Sequence, residues 1–84
     1  SVTNVARAFN LRRSEVEIYR ARVIPNMEEA LKAFEEQVRS GQGSVFQLWQ
    51  TLQSYLETNE RYLELWSKTF SDYTELSLLA GEEL

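Results

Sequence analysis

Residues 38–49, Val38-Arg39-Ser40-Gly41-Gln42-Gly43-Ser44-Val45-Phe46-Gln47-Leu48-Trp49, decide the fold. Gly41 stands where a helix ends and the chain must take a positive φ, a conformation that glycine adopts at no steric cost. Three residues later Ser44 offers a hydroxyl to the unpaired N–H groups of a new helix, and Gln47 completes a capping box. A helix stop followed by a helix start leaves Gly41 to Ser44 as a turn between two antiparallel arms. The chain therefore reads as all-α, an antiparallel helical hairpin of long amphipathic helices.

Working towards the C-terminus, apolar residues recur at Val45, Leu48, Trp49, Leu52, Tyr55, Leu56, Tyr62, Leu63, Trp66, Phe70, Tyr73, Leu76 and Leu79. This is the i, i+3, i+4, i+7 rhythm of an amphipathic helix. Gly81 is the matching stop signal, so the second arm is expected over about residues 45–80, a rod of roughly 55 Å. With Val45 at heptad position a, row a carries Leu52, Asn59, Trp66, Tyr73 and Ala80, row d carries Leu48, Tyr55, Tyr62 and Leu76, and row e carries Trp49, Leu56, Leu63 and Phe70. Three apolar rows are too wide for one two-stranded seam, so this helix is expected to meet neighbours on two sides, in a bundle or the wall of an α-barrel. The aromatic residues of this series read as packing surface, because rings supply large buried areas.

Working towards the N-terminus, Val5, Phe9, Val16, Tyr19, Val23, Met27, Ala30, Leu31, Phe34 and Val38 keep a looser helical spacing. Pro25 lacks a backbone donor and its ring clashes with the preceding turn, so the first arm, about residues 4–40, is expected to be kinked or broken at Pro25. Beyond it, Asn26 to Ser40 reads as helix, with Glu28 and Glu29 in a favourable first turn and Arg39 near the end. Residues 1–14 contain three cap-like residues, Asn4, Asn10 and Ser14, and their spacing leaves their conformation open.

Composition narrows the chemistry. The 84 residues include no cysteine and no histidine, which removes thiolate and imidazole chemistry and the usual zinc sites together. Glu57, Glu60 and Glu64 suggest a carboxylate metal bundle only on a first look, since that design needs Glu-x-x-His motifs. No metal, cofactor or catalytic site is expected, and the chain reads as a non-enzyme. The net charge of −4 argues against nucleic-acid binding, which depends on neutralising phosphates. The charge is uneven: residues 1–24 carry five arginines against Glu15 and Glu17, while residues 25–84 carry four basic residues against eleven acidic ones. No run approaches the ~18 apolar residues of a membrane-spanning helix. With Ser1 in first place, the single hairpin over residues 1–84 reads as a fragment of a larger protein.

The order of features then matters: Ala30-Leu31, an acidic stretch, the turn segment quoted above, Tyr62-Leu63, Tyr73 and Leu79-Ala80-Gly81, preceded by Tyr19-Arg20-Ala21-Arg22-Val23-Ile24-Pro25. Over residues 15–81 this order resembles the C-terminal part of TolC-like outer-membrane efflux proteins, with the Tyr-Arg segment closest to the metal-efflux branch. The resemblance implies the last periplasmic helical hairpin of a homotrimeric tunnel, localised in the periplasmic portion of an outer-membrane protein and making no membrane contact itself. It implies that the hairpin tip, Gly41, Gln42, Gly43, Ser44 and Val45, docks a periplasmic adaptor protein of a tripartite export system, with Gln47, Gln50 and Asn59 as tunnel-facing candidates. Asn59, a polar residue in row a, reads either as a core residue that fixes register or as part of a face that lines a water-filled tunnel, which would also account for Thr69 and Ser77. The sequence departs from the family where Val38 replaces a frequent Tyr, Gln47 and Gln50 replace frequent aspartates, and Gly43 stands where some members carry a basic residue. Those departures remove the charges of an entrance-gating network and cation ring. The alternative reading is a free-standing dimerisation or scaffold module in which two hairpins form a four-helix bundle. On either reading the isolated hairpin exposes apolar surface and is expected to self-associate.

Overall fold

The computed structural model describes residues 2–83, and among them there is only helix and turn. Helix α1 runs over Val2–Ile18 and α2 over Ile24–Arg39, joined without a break by a π-helical turn at Tyr19–Val23. Helix α3 follows over Val45–Glu83. The first arm folds back along α3, which brings Glu28 to Tyr55, Tyr19 to Tyr62, Arg12 to Asp72 and Phe9 to Tyr73. The hairpin measures 65 × 16 × 14 Å, and its radius of gyration of 18.6 Å far exceeds the ~12 Å of a compact globule of this length.

The helix stop at Gly41 and the Ser44 cap are built as the sequence predicts, but the Gln47 side chain does not return a bond to the Ser44 N–H, so the capping box is half formed. Gly41 sits at φ 79°, the only positive φ among the described residues. The N–H of Gly41 donates to the Val38 carbonyl at 3.1 Å and that of Gln42 to the Gln37 carbonyl at 2.9 Å, the paired bonds of a Schellman motif. Gly43 folds against the end of α2, where its N–H also donates to the Gln37 carbonyl. A Cβ on Gly43 would lie 2.8 Å from the Gln37 Cβ and 2.9 Å from the backbone, so this position is closed to any larger residue. Ser44 caps α3 by accepting the Gln47 N–H on its Oγ at 3.2 Å.

The interruption of the first arm lies one turn N-terminal to Pro25. Proline cannot donate to the Ala21 carbonyl four residues back and its ring would strike that carbonyl. The helix widens there, and the Ile24 N–H donates instead to Tyr19, five residues back. The extra residue also resets the apolar rhythm. Val38, Phe34, Leu31, Met27 and Ile24, extended backwards in steps of 3 and 4, would bring Arg20, Glu17, Arg13, Asn10, Ala6 and Thr3 onto α3. The π-turn brings Val23, Tyr19, Val16, Arg12, Phe9, Val5 and Val2 there, all partly screened from solvent. Because the arm never breaks, Asn26 does not begin a helix and Glu28 and Glu29 meet no free helix N-terminus. Glu28 instead accepts from the Tyr55 hydroxyl at 3.2 Å. The helix is continuous from Val2, so residues 2–14 of the open N-terminal segment are helical, and Ser1 lies outside the described residues. Gly81 does not end α3, which continues to Glu83: its φ is not positive and nothing lies within 4 Å of a Cβ placed there, so no turn is required of it.

Candidate functional site

Helix α3 carries two heptad seams. The first, Leu48, Thr51, Tyr55, Thr58, Tyr62, Leu65, Thr69, Asp72, Leu76 and Leu79, alternates steps of 3 and 4 without an error and is the side screened by the first arm. It is rows d and g of the heptad, and four of its ten residues, Thr51, Thr58, Thr69 and Asp72, are polar. Asp72 is the one buried polar residue among those described, and Arg12 donates from Nη1 to both its carboxylate oxygens, at 2.7 and 2.9 Å. The second seam, Val45, Trp49, Leu52, Leu56, Asn59, Leu63, Trp66, Phe70, Tyr73, Ser77 and Ala80, alternates steps of 4 and 3 on rows a and e. At 3.5 residues per turn the two seams lie about 100° apart around the helix. The second is the more apolar, yet it faces no helix: Trp49 is 54% exposed, Leu63 66% and Phe70 60%. No apolar side chain among the described residues is buried.

A groove of about 180 Å³ runs between the arms where the open seam begins, lined by Phe9, Val16, Trp66, Thr69, Phe70 and Tyr73. Phe9 packs at a tilt on Tyr73, with ring centroids 6.0 Å apart, and Trp66 stacks along the helix on Phe70 at 6.4 Å. The aromatic residues thus pair with one another, while Trp49, Trp66, Phe70 and Tyr73 remain more than half exposed.

The hairpin tip presents a second surface. Gly41, Gln42, Ser44 and Val45 are exposed, and Gly43 is half-buried against α2. Val45 and Phe46 are both strongly exposed, and Phe46 stacks on Trp49 at 6.2 Å, so the polar turn is backed by an apolar patch. Phe46 falls off the heptad rhythm, and an aromatic residue off the rhythm beside a turn is the signal that would have added it to the tip.

The structure places Gln47 and Gln50 together on an exposed face that continues through Ser54, Glu57, Arg61, Glu64, Lys68 and Ser71. Asn59 lies on the opposite side of α3, in the open seam, where it is half-buried and donates from Nδ2 to the Tyr55 carbonyl at 3.1 Å. Thr69 donates to the Leu65 carbonyl at 2.8 Å and lines the groove, and Ser77 is exposed. On the first arm, Glu17 accepts from Arg20, which holds the Glu17 carboxyl below its ordinary range through that hydrogen bond, and raises Arg20 in turn. Among the described residues no cluster of acidic side chains is arranged to hold a metal ion, and no helix is long and apolar enough to cross a membrane.

No protein-family model, curated protein or solved structure matches this chain.

Proposed function

We propose that the hairpin is an assembly element, a wall segment of a larger helical structure, and specifically the periplasmic hairpin of a TolC-like trimeric efflux tunnel whose tip docks an adaptor protein. The observation that carries the assembly reading is the open seam of α3. Its heptad spacing holds over 36 residues, from Val45 to Ala80, while its large side chains stand in water. Burying each of these is worth about 1.5–3 kcal/mol. A sequence that keeps such spacing is written for a second helix. Two seams about 100° apart are what a helix needs when it stands between two neighbours in a wall or a bundle.

The tunnel reading is supported by the order of residues from Tyr19 to Gly81 and by the two remaining faces. The polar stripe through Gln47 and Gln50 suits a water-filled lumen, and the tip joins a rigid turn to the exposed pair Val45 and Phe46. The test uses the full-length protein with Gln42→Arg and Val45→Glu, two exposed positions that the turn does not depend on. Loss of adaptor capture with unchanged helicity is expected, and undiminished capture would remove the docking claim. A signal peptide, strands of about 10 residues and a second copy of the helical pattern encoded upstream of Ser1 would agree with the tunnel. The free-standing module differs in needing none of these.

A further inference from the structure

The open seam of α3 is one wall of a trough, and the first arm is the other. Phe9 and Val16 of the arm share the 180 Å³ groove with Trp66, Phe70 and Tyr73 of the seam, so an occupant laid there touches both helices. Thr69 in the lining already donates to the Leu65 carbonyl, which leaves the groove suited to one large apolar side chain.

The trough has a rim of each charge. On the arm, Arg13 is one turn from Phe9 and from Val16, and Arg20 is one turn from Val16. Both stand on the side of that row away from Arg12, which turns in to Asp72. Across the seam, Glu60 is one turn from Leu56 and from Leu63. Arg13 and Glu60 make no ion pair among the described residues, and Arg20 pairs only with its helical neighbour Glu17. The bond of Arg12 to Asp72 sets Arg13 level with about residue 71, and the stacking of Tyr19 on Tyr62 sets Arg20 close to the level of Glu60.

A second copy of this hairpin fits the trough poorly. With two copies side by side and tips together, the arm face laid on the seam is the polar row through Thr3, Asn10, Arg13, Glu17 and Arg20. With α3 laid on α3 and tips apart, full overlap of the seams brings Glu60 of one copy within a turn of Glu60 of the other.

We infer that the occupant of the open seam is an amphipathic helix of a different protein chain, with an apolar stripe in heptad spacing, an acidic edge facing Arg13 and Arg20 and a basic edge facing Glu60. The stripe lies on the seam, as an amphipathic helix lies in any apolar groove, and one leucine or aromatic side chain anchors it between Phe9 and Phe70. Turning such a helix end for end exchanges its edges, so the two rims fix its direction as well as its position. Self-association of the isolated hairpin through the same seam is then a substitute that this helix displaces.

This inference rests on the assembly reading and deepens it by giving the chemistry of the neighbour. The probes are two synthetic helices of about five heptads, long enough for the seam, with alanine and leucine alternating along the stripe so that each alone stays monomeric. One has glutamates along one edge and lysines along the other, and the second has the edges exchanged. Each carries an N-terminal cysteine, and the cysteine-free chain carries Gln42→Cys at the tip or Thr3→Cys at the far end, joined by a short bis-maleimide. Each peptide is expected to form a 1:1 complex in place of the self-associated hairpin, one crosslinking to Gln42→Cys and the other to Thr3→Cys. Reversing the rims with Arg13→Glu, Arg20→Glu and Glu60→Lys, all at exposed positions, is expected to turn both peptides round. Salt near 1 M, where screening acts within about 3 Å, is expected to erase the direction and keep the binding. Both peptides crosslinking at the same end, either of them crosslinking equally at both ends, or self-associated hairpin that neither displaces would overturn the inference and leave the assembly reading standing. A chain that stays monomeric and binds neither peptide would remove both.

Discussion

At Gly41 the backbone stands at φ 79°, a conformation that costs an L-residue about 1–2 kcal/mol. Gly41→Ala should therefore lower the unfolding free energy by roughly that amount, seen as a lower urea midpoint. Gly43→Ala should cost at least as much for a different reason, because its Cβ would meet backbone atoms of Gln37 and Val38 at 2.9 Å. Gly81→Ala should act in the other direction and stabilise by up to about 1 kcal/mol, since Gly81 is an ordinary helical residue with open space around it. Urea melts of the three variants at one protein concentration check all three signs. The buried Asp72 gives a second prediction. Asp72→Ala leaves Arg12 without its partner and should cost about 1–3 kcal/mol, whereas Arg12→Leu with Asp72→Leu should be neutral or stabilising. The turn glycine and its cap were legible in the sequence because each is a local device. The Arg12 to Asp72 pair was not, because the two residues lie 60 positions apart and nothing local marks them as partners.

At the scale of the element, the first arm shows why a distortion of the helix by Pro25 was readable and its form, a π-turn at Tyr19–Val23, was not. Proline marks where a donor is missing, but the helix accommodates it upstream, at the carbonyl the ring would strike. The apolar rhythm carried the decisive clue: Tyr19, Val23 and Met27 follow one another at two successive steps of four, one residue more than a heptad allows. On this account the rhythm, and not the proline alone, holds the π-turn in place. Pro25→Ala should leave the turn present, because straightening it would set Arg20, Glu17 and Arg13 against α3. Deleting Ala21 together with Pro25→Ala should yield a regular helix with its apolar face intact and a more stable hairpin, read as slower amide exchange across residues 16–28. Faster exchange there would show that the widened turn serves a purpose beyond register. That α3 carries an apolar band wider than one seam was likewise legible in its three apolar rows. Which row the first arm would choose was not, since that depends on a partner surface whose register is set by the π-turn.

Over its described residues the molecule is a rod with no buried apolar side chain. With an 18.6 Å radius of gyration and no buried apolar residue among those described, the contact between the two arms is the main apolar burial the hairpin has. Half-burial of one polar-rich seam leaves the more apolar seam in water, and that imbalance is the physical content of the proposal that the hairpin works only in company. Association and folding should therefore be linked, so the midpoint of thermal unfolding should rise with protein concentration. Sedimentation equilibrium on the chain and on Leu63→Glu tests this most directly, because Leu63 is 66% exposed at the middle of the open seam and the substitution removes nothing from the contact between the arms. The parent chain is expected to sediment as a dimer or larger species at micromolar concentration, and Leu63→Glu to shift it to monomer. A parent chain that stays monomeric and fully helical, or a variant that associates as tightly as the parent, would contradict it.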